Sequence, residues 1–82
     1  MQTNQLLNRI TVDQGVLSGK PVIKGTRLSV QYILGLMASG ADTNEILTEY
    51  THITHDDILA CLLFASKTLD DFTYVPLNKQ SA

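Results

Sequence analysis

Three groups of residues in this 82-residue chain have types and spacings that could do chemistry. The first is His52, His55, Asp56 and Asp57, imidazoles and carboxylates of the kind that bind zinc or another transition metal. His52 falls in a predicted turn, whereas Asp56 and Asp57 fall in the first turn of a predicted helix, where carboxylates complement the positive end of the helix dipole. The pattern therefore favours capping over metal binding, and no metal or other cofactor is expected. The second group is Gly15-Val-Leu-Ser-Gly19-Lys20-Pro21. A phosphate loop needs four residues between its glycines and a hydroxyl residue after the lysine. Here the interval is three residues and a proline follows the lysine, removing an N–H that a phosphate would need. Turn formation accounts for these glycines. The third is Cys61, the only cysteine, which cannot form an internal disulfide and lies in an apolar helical pattern as a buried reduced thiol. No serine, cysteine or carboxylate pair is spaced to assemble a nucleophile and its base, so no enzyme is expected.

With catalysis set aside, charge becomes the informative feature. The net charge is only −2, but the halves differ. Residues 1–41 carry Arg9, Lys20, Lys24 and Arg27 against Asp13, a balance of +3, and residues 42–82 carry seven carboxylates against Lys67 and Lys79, a balance of −5. Lys20, Lys24 and Arg27 are the candidate nucleic-acid contacts. Arg27 has an alternative role, an internal ion pair holding the basic arm against an acidic helix.

The elements that must position these groups follow from pattern. Arg9-Ile-Thr-Val-Asp13, Pro21-Val-Ile-Lys24 and Thr26-Arg-Leu-Ser-Val30 are short and rich in β-branched residues, punctuated by Gly15, Gly19, Pro21 and Gly25, which predicts a small hairpin or bent β-arm. From Val30 the apolar spacing becomes helical, with Ile33, Leu34 and Met37 on one face, Ser29 as N-cap and Gly40 as stop. Asp42-Thr-Asn-Glu45 is a capping box for a short second helix with Ile46, Leu47 and Tyr50 inward. Thr54 and Asp57 repeat the signal for a third helix over about 55–69. The fold class is thus α+β, mainly α: a short N-terminal β-arm, then a three-helix bundle of helix-turn-helix or homeodomain type. A recognition helix that opens with His55-Asp56-Asp57 would push carboxylates at phosphates, so any DNA contact belongs to the basic arm.

The third helix is apolar over a wide arc, since Ile58, Leu59, Leu62, Leu63, Phe64, Ala65 and Leu69 cover more than one stripe. A small domain must bury such a second face against something, which predicts a homodimer or a partner protein through Leu59, Leu63 and Phe64. Beyond Asp71, Phe72, Tyr74, Val75 and Leu77 surround Pro76, which rules out a long helix, so an extended tail that orders against a partner is expected over 72–82. Residues 1–8 read as a flexible start and 9–71 as one domain. No apolar run reaches membrane-span length and no signal-peptide pattern opens the chain, so a cytoplasmic protein is expected.

Arg9-Ile10, the string Gly19-Lys-Pro-Val-Ile-Lys-Gly-Thr-Arg27, Val30, Ile33-Leu34, Gly40, Glu45-Ile-Leu47, Tyr50, Thr54, Asp57-Ile58 and Ala65 resemble the bacterial family catalogued as domain of unknown function 433. The resemblance covers about residues 9–69. One departure is Thr51, where the family usually has proline after the tyrosine. What the resemblance implies is a small helix-turn-helix-like antitoxin, often encoded beside a PIN-like nuclease toxin, that neutralises the toxin by binding it and represses the shared operon. The alternatives are a DNA-binding regulator using the basic arm and an orphan dimeric scaffold.

Overall fold

The structure is a computed structural model and describes residues 3–70. Two short strands, β1 (Ile10–Val12) and β2 (Pro21–Ile23), pair antiparallel, with Ile10 opposite Ile23 and Val12 opposite Pro21. Pro21 has no N–H to donate and sits at the end of this two-stranded ribbon, where a ladder tolerates proline. The connection between the strands is a turn built on Asp13. Its carboxylate accepts from the Gly15 N–H at 2.8 Å and its carbonyl from the Val16 N–H at 2.8 Å. The backbone then runs through three consecutive positive φ values, Leu17 (50°), Ser18 (56°) and Gly19 (86°). Left-handed geometry at Leu17 and Ser18 is strained, and it is what allows so short a reversal.

The chain continues through α2 (Val30–Ala38), α3 (Thr43–Glu49) and α4 (His55–Asp70), preceded at the start by a five-residue helix, α1 (Thr3–Leu7). Each of the three main helices starts where its capping residues dictate. The Ser29 hydroxyl accepts from the Tyr32 N–H at 2.9 Å. Asp42 and Glu45 form a reciprocal box, with both bonds at 2.8 Å. Thr54 and Asp57 form a second one, in which the Asp57 carboxylate accepts from the Thr54 N–H at 2.9 Å. Gly40, at φ 106°, takes the left-handed position that stops α2.

Residues 1–8 read as a flexible start in the sequence; instead α1 packs against α4, with Leu6 and Leu7 half-buried. A helix this short is unstable alone. Its periodicity is too brief to be seen in sequence, and tertiary contact with α4 is what holds it.

One core joins the arm to the bundle: Ile23 from β2, Val30 and Ile33 from α2, Ile46 from α3, Ile53 from the following turn, and Ile58 and Cys61 from α4. Among the described residues no helix is long and apolar enough to cross a membrane. Ile33 is fully buried at the centre and Val12 is 56% exposed on the ribbon. Ile33→Ala is therefore expected to cost about 2–4 kcal/mol in urea denaturation, against under about 1 kcal/mol for Val12→Ala. Equal losses from the two would contradict this placement of the core.

Candidate functional site

Arg9, which the sequence marks only as part of the basic half, lies immediately before β1, and its guanidinium reaches the start of α4. One guanidinium nitrogen, Nη1, donates to Asp57 Oδ1 at 3.1 Å, and Nη2 lies 3.6 Å from Asp56 Oδ2. Asp57 is nearly buried, with a side chain 11% exposed. Its other oxygen, Oδ2, holds the Thr54 N–H. The acidic pair that opens α4 is thus occupied by a cap and by an arginine, as the capping interpretation requires. The ion pair proposed for Arg27 exists, but Arg9 makes it.

The basic string folds into a compact loop around Thr26. Its hydroxyl donates to the Ile23 carbonyl at 2.8 Å and accepts from the Leu28 N–H at 2.9 Å, while the Ile23 N–H returns to the Leu28 carbonyl at 3.0 Å. Gly25 supplies φ 81° at the tip. Val22 and Ile23 are buried by this arrangement, and Lys24 and Arg27 stand out into solvent on either side of Thr26. These two line one cleft with Thr11 and Asp13. Lys20 is also exposed but lines a different cleft, with Gln31 and Tyr32 of α2 and Ser39 just after it. Among the described residues none of the three has an ion-pair partner. The structure therefore brings Lys24 and Arg27 together and leaves Lys20 apart.

On α4, Leu59 and Leu62 are 36% and 42% exposed, one turn apart on the outer side. Leu63 is half-buried. Phe64, which the wide apolar arc assigns to an interface, instead packs against the domain's own core. The cause of this partial burial is simple: on a helix packed on one side by α2 and on another by α1, the position three residues beyond the buried Cys61 turns toward the core. Leu62, named in the apolar arc but not among the predicted contact residues, is the exposed neighbour of Leu59. Phe72, Tyr74, Val75 and Leu77 lie outside the described residues.

Two further groups are accounted for structurally. Tyr32 and Tyr50 meet hydroxyl to hydroxyl at 2.6 Å with their rings nearly perpendicular, tying α2 to the end of α3. The bond to Tyr32, followed by burial, holds the Tyr50 phenol above its ordinary range. Cys61 is fully buried, and burial, with the nearby Asp57 charge, pushes its thiol up to about 11. A thiol so rarely ionised is a poor nucleophile. No cluster of three metal-ligating side chains occurs among the described residues.

A short antiparallel hairpin followed by helices makes this a mainly-α α+β fold. The chain belongs to the DUF433 family of proteins of unknown function, whose family model matches residues 10–65. It is similar to a member of that family from Anabaena variabilis, known from a crystal structure at 2.00 Å, with 27% identity and a TM-score of 0.73. The alignment covers 82% of this chain and 66% of the Anabaena protein, so this chain spans a little under two thirds of that relative's length. No curated protein matches the chain.

Because Arg9 neutralises a nearly buried carboxylate, Arg9→Ala is expected to destabilise the domain by about 1–2 kcal/mol, measured by thermal or urea unfolding. Adding Asp57→Asn to that variant should recover part of the loss, since the orphaned charge is removed while the capping oxygen stays. An Arg9→Ala protein as stable as the parent would show the pair to be a surface contact of no consequence.

Proposed function

We propose that this protein acts by binding another protein, as the antitoxin that neutralises a PIN-like nuclease, and that the outer face of α4 is its contact surface. The observation that carries this reading is the exposure of Leu59 and Leu62 side by side on that face. Full burial of a leucine side chain stabilises by about 1.5–3 kcal/mol, so two half-exposed leucines on one helix retain a useful fraction of that for a partner. Helix faces of this kind seat in apolar grooves or pack on other helices. The class of partner is what the family resemblance implies. In the partner's absence a second copy meets the same two leucines, which gives a homodimer.

The face also argues against α4 as a DNA reader. A recognition helix offers donors and cations to base edges and phosphates, whereas this one offers leucines, with its opening carboxylates held by Arg9. A second reading, an operator-binding regulator, is favoured by a separate observation: Lys24 and Arg27 project together from the Thr26 loop with no ion-pair partner among the described residues. Protein neutralisation and operator binding would then use different surfaces.

The test is co-expression with a PIN-like nuclease of the class that the family resemblance implies. Leu59→Ser/Leu62→Ser is expected to lose co-purification and to release nuclease activity, while its circular dichroism spectrum stays that of the folded parent. Lys20→Ala/Lys24→Ala/Arg27→Ala should neutralise the nuclease normally and lose any salt-sensitive operator binding. Neutralisation that survives the leucine changes and fails in the basic variant would reverse the assignment.

A further inference from the structure

Leu59 and Leu62 are not the only apolar side chains that α4 leaves in solvent: Leu69 is 67% exposed. With the exposed Ser66, these leucines are spaced three, four and three residues apart, the spacing of the a and d positions along a two-stranded coiled coil. The stripe they form lies on the side of the helix turned away from Asp57, Cys61 and Phe64, of which the first two are buried and the third packs on the core. No charged side chain occupies it from Leu59 to Leu69, and its middle is bordered by the half-buried Leu63 and Ala65.

We propose that α4 pairs with α4 of a second copy of the chain, antiparallel, along this stripe. The pairing rests on the reading of the outer face of α4 as a contact surface, and goes beyond it in fixing the occupant, the direction and the register. The stripe carries both halves of a joint, since Leu62 projects from it and Ser66, one turn further on, leaves a gap. A two-fold axis crossing α4 between them seats each copy's Leu62 over the other's Ser66 and sets each Leu59 against the other's Leu69. Large then meets small, and all three leucines are covered within the 16 residues of α4. A parallel pair fits worse. It sets Ser66 on Ser66, leaving a void between leucine layers, and brings two acidic helix starts together, in each of which the Asp56 side chain is 39% exposed. The antiparallel pair places those starts at opposite ends and opposes the helix dipoles. Three partly exposed leucines per copy make a weak, reversible dimer, so a protein partner competes with the second copy for the same stripe.

Two variants of the full chain, Leu59→Lys and Leu69→Glu, test the pairing by sedimentation equilibrium. Both positions are exposed, so both variants are expected to keep the circular dichroism of the folded parent. The parent should dimerise as concentration rises, and each variant alone should dimerise at least about tenfold more weakly, because a charge then faces a leucine at both ends of the stripe. Mixed in equal amounts, the two variants should recover the parent's affinity: the introduced lysine meets the introduced glutamate at one end, and leucine meets leucine at the other. Only the antiparallel register brings positions 59 and 69 into contact. A parent that stays monomeric to about 1 mM would overturn the proposal. So would a mixture no more associated than its two components, which would make the contact parallel or place it elsewhere. No nuclease enters these measurements, so a failure of the antitoxin reading leaves them unchanged, and neutralisation is scored separately from them.

Discussion

The Asp57 carboxylate does two jobs, and the architecture turns on its doing both. One oxygen closes the cap that starts α4, and the other receives Arg9 from the approach to β1. A nearly buried carboxylate is costly unless its acceptor sites are filled, so the helix start and the arm are bound to each other's position. Loss of Arg9 would leave the nearly buried Asp57 charge without its cation, while Ile23 still holds the arm in the core. The same contact sets the path of α1, which ends only two residues before Arg9 and packs on α4.

That geometry also sorts the apolar surface of α4 into separate territories. Ile58 and Cys61 enter the shared core, Ala65 and Leu69 border the groove beside α2, and Leu59 and Leu62 are left outside. A helix apolar over a wide arc is thus explained by several different neighbours rather than one large interface. The large apolar side chains of α4 left exposed are Leu59, Leu62 and Leu69, with the half-buried Leu63 beside Leu59.

Electrostatics divides the molecule in the same way. The first half's positive charge is spent in two places: Arg9 is consumed internally, and Lys20, Lys24 and Arg27 remain in solvent. The Thr26 loop is rigid because its hydroxyl both donates and accepts, so Lys24 and Arg27 are presented from a fixed backbone. Lys20 departs on the other side of β2 and borders α2. A basic patch inferred from a linear string is here two patches.

Sequence alone determined what is local. Ser29, the Asp42–Glu45 box, Thr54 with Asp57, and Gly40 set the limits of the three main helices, because caps and stops act within one turn and need no tertiary information. The paired strands, the buried Cys61 and the family membership were legible for the same reason, carried by short strings of particular residues. Tertiary structure decided everything that depends on which side of an element meets a neighbour. It chose Arg9 over Arg27 for the ion pair, turned Phe64 inward and left Leu62 out, and gave the first residues a helix that five residues could not form unaided. Helical periodicity names an apolar arc but not its occupants, and a charge has no partner until the fold brings one within a few ångströms. Those choices are made by packing between segments far apart in the chain, as the 48 residues separating Arg9 from Asp57 illustrate.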